Sequence, residues 1–229
     1  MQRISDNEYL EIGSGIPIES ENLVEFYLLY SGPLHSDRSE NSRIEKHAIR
    51  KVFHPQLRQL WMSNYNLREK AEGVGAIDVE NWQESPNGFL FDRGITELAR
   101  WNREGFSFLP LVTKKVALRC RLDILFLRNE ERDYVLQGGD IDRRIATLFD
   151  GLRMAKERDD LPVGAKPDPQ EVPMFCLLEN DDLITEVHIK TGRLLHLPNK
   201  PVLEKHDVYL EIAVQLNTTR LAADSWVFE

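Results

Sequence analysis

The chain has 229 residues, of which 41% are hydrophobic and 29% charged, a composition typical of a soluble globular protein with a substantial core. No apolar run approaches the roughly 20 residues that span a bilayer, and the N-terminus lacks the basic-then-apolar layout of a secretory signal, so we expect a cytoplasmic protein without a membrane segment. The net charge of −9 argues against general nucleic-acid binding, so any contact with DNA must come from a local basic surface helped by metal ions.

The first third of the chain predicts a strand followed by a helix. Residues 23–30 are aromatic and aliphatic and end at the turn signal Ser31-Gly32-Pro33, which is typical of a strand. From Arg43 to Trp61 apolar residues recur at spacings of three and four, which predicts a helix. Pro55 interrupts the pattern, so the helix is either kinked or split in two.

The opposite face of this helix is the most basic stretch in an acidic chain. It could be an ordinary solvated face or a surface that contacts phosphates, and the sequence does not separate the two. Its cations include Arg43, Lys46, Arg50 and Lys51.

The remaining elements predict an α/β (α+β) fold in which a mixed sheet is flanked by helices. We interpret the 229 residues as one domain with an insertion at about 62–105 and an exposed loop at about 156–171. The other elements are a strictly alternating strand at 115–128, a helix from Asp140 or Ile141 to about Leu152, two strands at 172–178 and 183–189 around a tight turn, and a last strand at 208–216.

Two cysteines lie far apart in strand-like runs. We interpret Cys120 and Cys176 as buried reduced thiols, because no CxxC pair or Cys/His cluster indicates a zinc site.

Aspartates are doubled at two loop positions that are distant in sequence. Asp140 and Asp142 follow a double glycine at a helix start, where one carboxylate serves as a cap and the second adds repulsion. Asp181 and Asp182 lie in the turn between two apolar strands, where one suffices for the turn. A shared Mg²⁺ would relieve both repulsions, although acidic turns are also common in acidic proteins.

The segment from Gly139 to Leu152, GDIDRRIATLFDGL, resembles the motif of the RusA-type Holliday-junction resolvases: Asp, any residue, Asp-Asn, a lysine four past the second Asp, then Asp, a small residue and Leu. The stretch Asn180-Asp181-Asp182-Leu183-Ile184, followed by Lys190, resembles that family's Asp-Asp turn and trailing lysine. The resemblance covers about residues 115–190. It implies a homodimeric, Mg²⁺- or Mn²⁺-dependent endonuclease that resolves four-way DNA junctions.

The resemblance assigns roles to individual residues. It implies that Asp140, Asp142 and Asp182 bind the metal. Lys190 and the basic helix face are candidates for contact with DNA. Asp150 matches a motif position but lies more than two turns from Asp142, so we expect it to cap or to form a buried hydrogen bond.

Two positions depart from the family pattern. The family's Asn is Arg143 here, and its lysine is Ala146, so a cation that would steady the developing phosphate charge is missing. We hypothesise that the guanidinium of Arg143, or that of Arg144, replaces it.

Three functions remain open. The first is a metal-dependent nuclease for branched DNA. The second is an inactive RusA-like module that binds nucleic acid or protein, which the lost lysine and the net charge favour. The third is a metal-dependent phosphodiesterase for a small nucleotide. His188, on the strand after the Asp-Asp turn, is interpreted as structural rather than as a general base.

Overall fold

The computed structural model describes residues 25–36, 41–63, 83–84, 90–91, 101–103, 105–114, 118–129, 140–197 and 202–218. It has a mixed α+β fold, which confirms the predicted fold class. The elements, in chain order, are β1 (Glu25–Pro33), α1 (Asn41–Ser63), β2 (Gln83–Glu84), β3 (Leu90–Phe91), β4 (Trp101–Arg103), β5 (Phe106–Val112), β6 (Leu118–Arg128), α2 (Asp140–Leu152), β7 (Met174–Leu178), β8 (Ile184–Arg193) and β9 (Asp207–Thr218).

The larger sheet has four strands in the order β1-β9-β6-β8. β9 runs antiparallel to both β1 and β6, and β8 runs parallel to β6. In β6 the residues alternate strictly between buried and half-buried from Leu118 to Arg128, as the sequence pattern predicts. One face of this sheet therefore lies against the core, and β1 and β8 form its two edges.

The second sheet has three strands in the order β4-β5-β7, and β5 and β7 are parallel. All five residues of β7 are buried. The prediction that the strands at 172–178 and 183–189 form a hairpin around the Asp-Asp turn is wrong, because β7 pairs with β5 whereas β8 pairs with β6. The chain crosses from one sheet to the other at that turn.

Both helices contribute to the hydrophobic core that the inner face of the larger sheet also lines. α1 contributes Ile49, Phe53 and Leu57 to the core, and α2 contributes Leu148 and Leu152. α1 is one continuous helix through Pro55, and α2 begins at Asp140 as the sequence predicts. Neither helix combines the length and the apolar character that a membrane span requires.

The structure describes the predicted loop at 156–171 in full and the predicted insertion at 62–105 only in part. Of the proposed insertion at 62–105, the structure describes residues 62–63, the strands β2, β3 and β4, and Gly105. The stretch 156–171 contains two short 3-10 turns, Arg158–Asp160 and Pro169–Glu171, and it buries Leu161. That stretch is therefore an ordered connection rather than a fully exposed loop. Cys120 and Cys176 are both buried free thiols, and burial raises the pKa of each to about 12.

Candidate metal and nucleic-acid site

The start of α2 presents an acid and a base to solvent. Asp142, Arg143 and Ala146 are exposed on the first turns of the helix, whereas the side chain of Asp140 lies outside the described residues. Arg144 is only 1% exposed, and its Nη2 lies 3.5 Å from Nδ1 of His206. Arg144 therefore cannot supply the missing surface cation, and Arg143 is the remaining candidate of the two.

The turn between β7 and β8 carries Asp181 and Asp182 in a single 3-10 turn, Asp181–Leu183. Nζ of Lys114 lies 2.6 Å from Oδ2 of Asp182, and Nζ of Lys156 lies 3.2 Å from Oδ1 of Asp181. The hydrogen bond from Lys114, followed by its charge, holds the pKa of Asp182 below its usual range, so this exposed carboxylate is ionised. The two lysines therefore relieve the repulsion for which the sequence predicts a shared Mg²⁺.

The two doubled aspartates lie at opposite ends of α2. The backbone N–H of Met154, just beyond the last turn of α2, donates to the carbonyl of Leu178 at the end of β7, and the Asp-Asp turn follows three residues later. α2 has 13 residues, so its first turn lies about 18 Å from this point along the helix axis. A single chain therefore does not bring Asp182 to Asp142.

The ligand set that the resemblance implies is consequently incomplete in one chain. Among the residues that the structure describes, no three His, Cys, Asp or Glu side chains are grouped so that they could hold a metal ion. That Asp140, Asp142 and Asp182 share a metal ion stays a prediction.

The basic face of α1 is largely occupied by contacts within the chain. Arg50 is 1% exposed, so the prediction that it contacts DNA is wrong. Lys46 pairs with Asp150 at 2.6 Å, and Lys51 pairs with Glu171 at 2.8 Å. Arg43 lies 3.5 Å from Asp159, in a pair open to solvent.

Arg50 holds the end of α2 instead of a phosphate. Its Nε, Nη1 and Nη2 donate to the carbonyls of Arg153, Asp160 and Asp150 at 2.8, 3.0 and 2.8 Å. Asp150 also accepts from Arg153 at 2.9 Å, which agrees with the hydrogen-bonding role expected of it. The side chains of Arg50, Asp150 and Arg153 therefore join α1 to the end of α2.

Lys190 and His188 lie together on the outward face of the larger sheet. With Tyr27, Asp123 and Glu211 they line a shallow pocket of about 370 Å³. His188 is exposed rather than buried. Its Nε2 lies 2.7 Å from Glu186, and its Nδ1 lies 3.4 Å from Asp123. This pocket was not predicted, because β8 and β9 become neighbours of β6 only through long-range pairing.

Comparisons of the chain with family models, with curated proteins and with solved structures gave no match. The resemblance to the RusA-type resolvases therefore rests on the sequence motifs alone.

Proposed function

We propose that the protein is a Mg²⁺- or Mn²⁺-dependent endonuclease of RusA type that cuts branched DNA as a homodimer. The observation that carries the proposal is the placement of its two acidic motifs. Asp142 is exposed on the first turn of the helix that follows β6, and Asp182 is exposed at the start of β8, the strand parallel to β6. Both carboxylates are open to solvent and can be reached by a large substrate.

The opposite positions of these carboxylates require a site built from two chains. Asp142 lies about 18 Å along the axis of α2 from the Met154–Leu178 contact that precedes the Asp-Asp turn, so a site that joins Asp182 to Asp140 and Asp142 would draw on a second copy. Homodimerisation is then a condition for metal binding.

Each side chain has a role that its surroundings support. A bound divalent metal would activate water and polarise the phosphate. Arg143 lies beside Asp142 and is exposed, so its guanidinium can contact a phosphate oxygen. Lys114 bonds Oδ2 of Asp182, and the side chain of Asn180 also hydrogen-bonds this carboxylate, so both hold it in place at the turn.

Labelled four-way junction, linear duplex and single-stranded DNA, each with Mn²⁺, test the activity. We expect cleavage of the junction alone and its loss in Asp142→Asn and in Asp182→Asn. Mn²⁺ should raise the melting temperature of the wild type and not that of Asp142→Asn, which detects the metal without DNA. Equal cleavage of junction and duplex would contradict the substrate, and cleavage by both variants would contradict the site.

Subunit complementation tests the two-chain arrangement. Asp142→Asn and Asp182→Asn chains, co-expressed with different tags and purified as mixed dimers, should recover cleavage, because one of the two sites in each mixed dimer keeps both aspartates. A site within one chain would not recover, because each chain would carry one lost ligand. Mixed dimers of wild type with Asp142→Asn provide the matched control.

A second candidate is a RusA-like module that binds nucleic acid or protein without cutting. The ion pair between Lys114 and Asp182 favours it, because a lysine occupies the carboxylate that the metal would need. Binding of the junction that Mn²⁺ neither strengthens nor converts into cleavage would select this function.

A further inference from the structure

The two edges of the larger sheet differ. At β1, the side-chain amide of Gln56 on α1 covers the backbone of Leu29: its Oε1 accepts from the Leu29 N–H at 2.9 Å, and its Nε2 donates to the Leu29 carbonyl at 2.7 Å. β8 pairs with β6 on one side, and among the described residues no strand pairs with its other side. An edge strand of ten residues with unpaired backbone groups is a template for another strand.

The sequence of β8, ITEVHIKTGR, is self-complementary about His188. In an antiparallel pair related by a two-fold axis at His188, Glu186 of each copy lies opposite Lys190 of the other. Val187 then lies opposite Ile189. Opposite charges directly across an antiparallel pair stabilise it, and the aliphatic pair removes apolar surface from water.

The two faces of β8 agree with this pairing. Glu186, His188 and Lys190 are in register with Arg121, Asp123 and Leu125, whose side chains lie on the outward face of the sheet.

Val187 and Ile189 are in register with the buried residues Leu122 and Ile124, so they lie on the face that carries the helices. Ile189 is 40% exposed in one chain, and a second copy would cover it.

Neighbouring registers lose the charge match. An axis at Val187 places Lys190 opposite Ile184, and an axis at Ile189 places Glu186 opposite Gly192. Of these three registers, the one with the axis at His188 places each Glu186 opposite a Lys190. The interface is isologous, so it contains two such Glu186–Lys190 pairs.

We propose that two copies of this chain associate through β8, antiparallel and with the two-fold axis at His188, so that two four-stranded sheets become one continuous sheet. The proposal does not depend on the nuclease activity, because the edge and the sequence of β8 carry it. The dimer is measured without DNA or metal. A monomeric wild type would also remove the two-chain site proposed above, whereas a dimer that the β8 variants do not weaken would overturn the β8 interface alone.

Charge-reversal variants of the full chain, followed by sedimentation equilibrium, test the register. The wild type should be a dimer. Glu186→Lys and Lys190→Glu should each weaken the dimer at least about tenfold, because each places two like-charged pairs across the axis. An equimolar mixture of the two variants should restore the dimer, because in the mixed pair every 186–190 contact joins opposite charges. Glu157→Lys and Lys205→Glu, exposed and away from β8, make the same charge changes as controls.

A cysteine at the axis tests the geometry directly. In His188→Cys the two sulfur atoms should lie within disulfide reach, because directly opposed residues of antiparallel strands have Cα atoms about 4.5–5.5 Å apart. Mild oxidation should give a covalent dimer. Tyr27→Cys, on the edge that Gln56 covers, should give none, and the buried Cys120 and Cys176 should not react.

A wild-type protein that sediments as a monomer would overturn the proposal. A dimer that neither charge variant weakens, or a mixture that does not restore it, would also overturn the proposal, because the chains would then meet through another surface.

Discussion

Replacing Arg50 by methionine should destabilise the protein strongly, because its buried guanidinium donates to the backbone carbonyls of Asp150, Arg153 and Asp160. A buried carbonyl that loses its partner costs about 1–3 kcal/mol, and the two part-buried bonds, to Asp150 and Asp160, cost less because water can replace the guanidinium. Reduced by the relief of one buried charge and by the apolar methionine, these losses leave a net cost of about 2–4 kcal/mol. This is a large share of the stability of an ordinary domain.

Urea denaturation at neutral pH, followed by circular dichroism, measures the effect. Arg43→Met on the same helix is the matched control, because its pair with Asp159 is open to solvent and should contribute less than about 1 kcal/mol. If Arg50→Met costs as little as the control while weakening DNA binding, the assignment of Arg50 to structure rather than to phosphate contact is refuted.

Three further predictions follow from individual side chains. Burial, followed by the charges of nearby Arg50 and Lys51, lowers the pKa of His47 from 6.5 to about 4, so the folded state binds its proton less readily than the unfolded chain. Stability should therefore fall by up to about 3 kcal/mol as the pH drops from about 6.5 to about 4, and urea titrations should show a smaller fall for His47→Phe. Gly151→Ala should lower the melting temperature, since its Cβ would lie 2.7 Å from Cβ of Ile49 and overpacking costs about 1–3 kcal/mol; an unchanged value would show that the two helices separate easily. Arg143→Ala should abolish metal-dependent cleavage with an unchanged melting temperature, and unchanged cleavage would dispose of its role as the replacement cation.

Periodic elements could be predicted from the sequence because their periodicity reports burial directly. β6 alternates over its whole length, and α2 carries an apolar stripe behind an aspartate, so both have nearly the predicted bounds. β7 has the composition of a strand, but nothing local shows that its partner is β5, which was not predicted as a strand. The hairpin was therefore assigned from adjacency in sequence, and long-range pairing overrode it.

The charges of the candidate site could be located from the sequence, but their partners could not. Asp181 and Asp182 carry like charges side by side, as the sequence shows. The cations that relieve their repulsion are Lys114, 68 residues away in the sequence, and Lys156. Likewise, Arg50 looks like a surface cation in the helical pattern and proves to be buried, since its partners are carbonyls 100 or more residues along the chain. Sequence spacing locates charges on an element, and only the tertiary fold decides which are already neutralised.

The amide of Gln56 has a consequence for how large an assembly can grow. Joining two chains at β8 leaves β1 at both outer ends, and at each end Gln56 already occupies the hydrogen-bonding positions of Leu29. In the proposed dimer, a further strand that added to β1 would have to displace Gln56 from Leu29, which opposes elongation into a filament. A strand that pairs with its own copy is an aggregation hazard when both edges of the sheet are open. The side chain of Gln56 reduces that hazard at the other edge.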